Sequence, residues 1–154
     1  MCLVIDTCCL IKVFDPKNAE HDQFAPVWEW ISRGRGRMIY GGTKYLAELY
    51  QVTKILGLVS ELQRKGRVKV VSRASVDMLA MEVTEKVSNS AFNDAHLVAI
   101  VLVSRCRVVC TDDKRAMPYI KRKELYADHK MKPPKIYRKK PHEHLCGDKY
   151  VIEI

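Results

Sequence analysis

Leu3-Val4-Ile5-Asp6-Thr7-Cys8-Cys9-Leu10 is the stretch on which the fold turns. The short apolar run from Cys2 to Ile5, β-branched at Val4 and Ile5, suits a buried strand. It ends abruptly in a carboxylate with a hydroxyl beside it. Helical spacing follows at once through Cys9, Leu10, Val13 and Phe14, until Asp15-Pro16 stops it. A strand that feeds straight into a helix is the opening of a βα unit.

The same alternation continues along the chain. Phe24, Val27, Trp28 and Ile31 make a helical stripe ended by Gly34 and Gly36, with Trp28 expected in the core and Trp30 more exposed. Met38 to Tyr40 reads as a second strand closed by Gly41-Gly42. Thr43 is placed to cap a helix carrying Leu46, Glu48, Leu49 and Tyr50, with a break expected at Gly57. Val68 to Val71 is a third strand, and Ser72 or Ser75 opens the next helix. Ala95 to Ser104 is the most apolar helix, and Arg107 to Thr111 a fourth strand. A last helix is expected over 115–126. Lys130 to Lys140 reads as an extended basic arm, and Val151-Ile152 as a short edge strand. Four apolar strands separated by helices imply parallel pairing and right-handed crossovers, hence a three-layer α/β/α sandwich. Residues 1–126 form the expected domain and 127–154 a basic C-terminal arm.

Composition agrees with one globular domain. The chain has 154 residues, 47% of them apolar, and a net charge of +9. That charge points to a polyanionic partner such as nucleic acid. No stretch reaches the ~18 apolar residues needed to cross a bilayer, and Asp6 interrupts the only candidate leader. A cytoplasmic protein is therefore expected, with its six cysteines as thiols.

In an open parallel sheet, ligands bind beyond the carboxyl ends of the strands. Asp6 follows the first strand, and Asp112 and Asp113 follow the fourth. Glu48 lies in the first turns after the second strand, and Asp94 opens the helix that feeds the fourth. All fall on one rim. Clustered carboxylates repel and raise one another's pKa unless something positive fills the gap. Magnesium or manganese, hard ions that prefer oxygen ligands, are the usual solution. Taken singly, each acid has a simpler reading: Asp6 and Asp94 as helix caps, Glu48 as a solvated helix residue, Asp112-Asp113 as a turn.

Ile5-Asp6-Thr7 after a strand, Glu48 in an early helix, Asn93-Asp94-Ala95 opening an apolar helix and Thr111-Asp112-Asp113 after a strand together resemble the PIN-domain nucleases. The likeness extends over residues 1–120, and Cys8 departs from it where asparagine is common. The resemblance implies a PIN fold and a Mg²⁺- or Mn²⁺-dependent endoribonuclease. By position, Asp6, Glu48 and Asp94 would be metal-site acids, Asp113 the fourth, and Asp112 a second candidate for that place. Thr7 and Thr111 would orient ligands or water. Many members are bacterial toxins neutralised by an antitoxin, and homodimers are common, so both are implied partners beside RNA. Single-stranded DNA stays open as a substrate, and so does a non-catalytic RNA- or protein-binding module on the same fold.

Other chemistries fit less well. A haloacid-dehalogenase-type site needs a second aspartate where Cys8 stands. A receiver domain needs its acceptor after the third strand, where Ser72-Arg73 lie. Cys110 and Arg115 are one residue too close for a cysteine phosphatase loop, and phosphate-loop, His-Glu-X-X-His and Cys-X-X-Cys patterns are absent. His142, His144 and Cys146, with His129 upstream, match no usual zinc spacing and read as surface. Cys8-Cys9 reads as a buried apolar pair. Of the basic residues, Arg33, Arg35 and Arg37 precede the second strand, opposite the acidic rim. Lys114, Arg115, Lys121, Arg122 and Lys123 follow the fourth acid and flank it, and Arg138 and Tyr137 in the arm are placed to track phosphate and stack a base.

Overall fold

A computed structural model describes residues 2–147. Among the described residues the sheet is parallel throughout, with five strands in the order β3-β2-β1-β4-β5. These are β1 (Cys2–Ile5), β2 (Arg37–Tyr40), β3 (Val68–Val70), β4 (Val108–Cys110) and β5 (Lys135–Tyr137). β1 and β4 are apolar and fully buried because parallel strands in the middle of such a sheet are covered on both faces. β1 joins β2 through α1 (Leu10–Phe14) and α2 (His21–Ser32), and β2 joins β3 through α3 (Thr43–Gln51) and α4 (Thr53–Arg64). From β3 the chain returns across the sheet through α5 (Arg73–Val87) and α6 (Ala95–Ser104) to β4. Right-handed crossovers put the outgoing and returning helices on opposite faces, so the three layers follow from the strand order.

The strand order reverses between β1 and β4, where paired registers run Val4 with Val109 and Ile5 with Cys110. Crevices at such switch points are where open α/β sheets bind ligands. α6 is buried nearly all round, packed between the sheet and α5, which explains an apolar helix without an amphipathic stripe. Gly42 opens α3 with φ +87°, and a Cβ there would meet Val76 Cγ1 at 2.5 Å, so only glycine lets α3 start against α5.

Several expectations are corrected. The basic arm is in part a fifth strand: β5 pairs in parallel with β4, and Tyr137 is buried, donating its hydroxyl to the Gln23 carbonyl at 2.8 Å. Tyr137 therefore stacks on no base. The helix after β2 breaks at Val52, and Gly57 lies inside α4, where a Cβ would meet open space. In place of one helix over 115–126 there are two short ones, α7 (Met117–Ile120) and α8 (Glu124–Ala127). Trp30 is buried and Trp28 only partly so, because the glycine turn folds over the Trp30 indole; a Cβ on Gly36 would lie 2.6 Å from its ring. Thr43 begins α3 but spends its hydroxyl on Asp77. Ser72 does cap α5, accepting the Ser75 N–H.

Two cysteine readings change as well. Cys2 and Cys106 form a disulfide, since they sit at the amino ends of neighbouring strands with Cα atoms 5.6 Å apart. Of the neighbouring pair, Cys8 is exposed and Cys9 is buried. The Val151-Ile152 strand lies outside the described residues. Among the described residues, no helix is long and apolar enough to cross a membrane.

Candidate metal centre

The site is built where β1 and β4 end side by side. The Asp6 N–H donates to the Cys110 carbonyl at 2.8 Å, carrying the ladder one residue past the strands. This fixes Asp6 at the switch point with its side chain 5% exposed. Thr111, fully buried, donates its hydroxyl to Asp6 Oδ2 at 2.7 Å. The carboxylate is thus buried but hydrogen-bonded, the condition for keeping an acid inside a protein.

α3 delivers Glu48. Tyr45 donates its phenol to the Ile5 carbonyl at 2.6 Å and stacks on Tyr40, pinning the helix to the end of β1. Glu48 lies three residues on, on the same helix face. There it accepts the Thr7 hydroxyl on Oε2 at 2.8 Å. The adjacent His96 imidazole and the Thr7 hydroxyl hold Glu48 below the ordinary carboxylate range, against the opposite pull of burial.

Asp94 precedes α6 at the position of an N-cap, yet its side chain caps nothing, and neither does that of Asp6 before its own 3₁₀ turn. Both simple readings as caps therefore fail. Asp94 is instead pushed above the ordinary range by burial and then by the negative charge of Asp6, with Asp113 adding to the push; His96 and Lys44 draw it down. The Lys44 ammonium reaches the Asn93 carbonyl, which leaves it beside Asp94.

The two neighbouring aspartates after β4 have separate fates. Asp112 turns toward Lys12 at 2.8 Å and Arg138 at 3.5 Å. Those cations hold its carboxyl low, Lys12 most strongly. Asp113 uses Oδ1 to accept the Arg115 and Ala116 N–H groups, a turn cap, while its charge acts on Asp94. Thr111 also accepts the Asp113 N–H, so one threonine organises both acids. Asp94 thus lies within reach of the charges of Asp6 and Asp113, with Glu48 alongside through His96.

His96 was not singled out in the sequence. It is 2% exposed, and among the described residues neither ring nitrogen makes an aligned hydrogen bond, although Nε2 lies 3.3 Å from Glu48 Oε2. A buried polar group left in that state costs about 1–3 kcal/mol. The available signal was a lone imidazole two residues beyond Asp94 in an otherwise apolar helix. Lys12, which ties Asp112 to Glu20 at 2.6 Å, was missed too.

Of the basic residues expected to flank the acids, Lys114 and Arg115 are exposed directly after Asp113. Arg122 lies over the Tyr119 ring, Lys121 and Lys123 are exposed beside α7, and Arg138 reaches Asp112.

Among the described residues, no three His, Cys, Asp or Glu side chains close on one point as a complete ligand set. A hard divalent ion does not require such a cage. Magnesium dehydrates reluctantly and is commonly held through one or two carboxylates with its waters retained. Oxygen donors that repel one another, next to an imidazole without a hydrogen bond, fit an ion of that kind. Comparison of the chain with protein-family models, with curated proteins and with solved structures finds no match.

Proposed function

We propose that this chain is a Mg²⁺- or Mn²⁺-dependent endoribonuclease of the PIN type. One observation carries the reading: Asp6 and Asp94 occupy capping positions and cap nothing, and Asp94 is partly buried within reach of the Asp6 charge at the switch point of a parallel sheet. Repulsion of that kind persists in a fold when it serves a bound cation.

Asp6, Glu48, Asp94 and Asp113 would hold the ion. When bound, it supplies water activation and neutralises charge on the phosphodiester. Thr111 holds Asp6 in one orientation, and Thr7 does the same for Glu48. Asp94, pushed above the ordinary carboxylate range by burial and then by the Asp6 charge, would be the acid to take a proton from attacking water. Lys114 and Arg115, exposed beside Asp113, are placed to meet the phosphate backbone. Asp112 is a support: its pairs with Lys12 and Arg138 brace the turn that carries Asp113. An antitoxin or a second copy of the chain would be the regulator that the resemblance implies.

The competing reading is a non-catalytic RNA- or protein-binding module, favoured by the absence of three converging ligands among the described residues. Incubation of purified protein with mixed-sequence single-stranded RNA in Mn²⁺, Mg²⁺ or EDTA separates the two. Metal-dependent cutting that Asp94→Asn abolishes supports the nuclease. RNA binding without cutting, indifferent to EDTA and to the substitution, supports the module.

A further inference from the structure

Away from the acids, a trough of about 1260 Å³ follows β5 along its length. Seventeen residues line it; eight are Lys or Arg and none is Asp or Glu. Arg105, Arg107, Lys132 and Lys135 stand at the amino ends of β4 and β5, and Lys121 and Lys123 face them from the segment around α7. All six are exposed. Like charges so gathered attract an anion with repeating charge. The wall is not wholly polar, since Met117, Met131 and Ile136 contribute apolar surface between the cations. Phosphates with unstacked bases match that alternation, whereas a duplex keeps its bases inside.

The trough also has a direction. Arg138 lines its carboxyl-end mouth and touches Asp112, the neighbour of Asp113. A strand lying along β5 would therefore emerge at the acidic rim. We infer that this trough is the track of the substrate: it holds a single strand of RNA by its phosphates and feeds it to the carboxylates. The inference rests on the nuclease reading for its destination, and on charge and shape alone for its occupant.

The test is fluorescence anisotropy of a labelled 12-nucleotide single-stranded RNA in EDTA, so that nothing is cut, across a salt series. Wild type is compared with Lys121→Ala/Lys132→Ala/Lys135→Ala and with Arg33→Ala/Arg35→Ala/Arg64→Ala, which removes equal charge elsewhere. The trough variant should bind at least ~10-fold more weakly, with a log–log salt slope shallower by about 2, as loss of three phosphate contacts to a single strand predicts. The control should stay within about twofold of wild type. Equal losses in both variants, or none in the trough variant, would overturn the inference. So would polyglutamate or duplex RNA binding wild type as tightly as the single strand. If the trough variant loses binding while wild type cuts nothing in Mn²⁺, the track stands and the nuclease reading falls. The two claims therefore fail separately.

Discussion

The Thr111 hydroxyl donates to Asp6 Oδ2 at 2.7 Å, joining the ends of adjacent strands 105 residues apart in sequence. The bond is buried, so it both orients a carboxylate and secures the switch point at which the strand order reverses.

Thr111→Val keeps the shape and removes the donor. With Asp6 left buried and one bond short, stability should fall by about 1–3 kcal/mol. Metal-dependent cutting should fall about 10–100-fold, as expected for a residue that orients a ligand rather than serving as one. Urea denaturation and initial rates check the two effects. Unchanged rates would remove Thr111 from the site.

The Lys12–Asp112 pair makes a prediction in pH. Asp112 is held low by Lys12 and then Arg138, so its contribution is present above its unfolded pKa and is lost as pH falls through the folded value. For Lys12, burial would lower the pKa, but pairing with Asp112 and Glu20 outweighs it; that contribution is present below the unfolded value and is lost as pH rises through the folded one. Lys12→Met, which keeps an unbranched side chain but removes the ammonium from its carboxylate partners and from above the Phe24 ring, should cost about 0.5–1 kcal/mol at pH 7. The difference should shrink toward zero below about pH 4. A difference equally large at pH 7 and pH 3 would show that packing, not charge, is responsible.

Burial, and after it the Asp6 charge, disfavours the Asp94 carboxylate, so Asp94→Asn should stabilise the metal-free protein, raising Tm by about 2–4 °C for a gain near 1 kcal/mol. Millimolar Mn²⁺ should raise Tm of wild type and leave the variant unmoved, since an ion that binds only the folded state stabilises it by mass action. A Mn²⁺ shift of the same size in both proteins would place the ion elsewhere.

His96→Leu replaces a buried imidazole lacking hydrogen bonds with an apolar side chain. The loss of stability on going from pH 7 to pH 3 should become smaller and Mn²⁺-dependent cutting should fall, because Glu48 loses the neighbour that holds its carboxyl low. Tm and rate measured on one preparation test both. A pH profile of stability unchanged from wild type would remove His96 from the surroundings that set Glu48.

Asp6 and Thr111 were legible because each ends a short apolar strand, and a carboxylate beside a buried run is a local signal. Glu48 and Asp94 were legible through topology, since helices that follow or feed those strands begin on the same rim. β5 was not. Its Ile136 and Tyr137 sit among lysines and prolines, and only pairing with β4 reveals that their backbone lies in the sheet. The Cys2–Cys106 disulfide likewise needs strand adjacency, which no spacing along the chain encodes. Trp30 misled because helical phase alone ignores the turn that folds back over it. Gly57 misled because an exposed glycine costs a helix only about 1 kcal/mol, too little to break one that α1 and α3 support.

The most direct test of the acidic rim is the cleavage rate of a single-stranded RNA in Mn²⁺ by wild type and Asp6→Asn, with the product ends identified. Water attacking the phosphorus needs no 2′-hydroxyl and leaves one fragment with a terminal phosphate and the other with a free hydroxyl. We expect such ends, a rate that falls at least ~100-fold in Asp6→Asn, and none of the cutting in EDTA. Cutting that survives Asp6→Asn and EDTA, or products ending in 2′,3′-cyclic phosphate, would contradict the account.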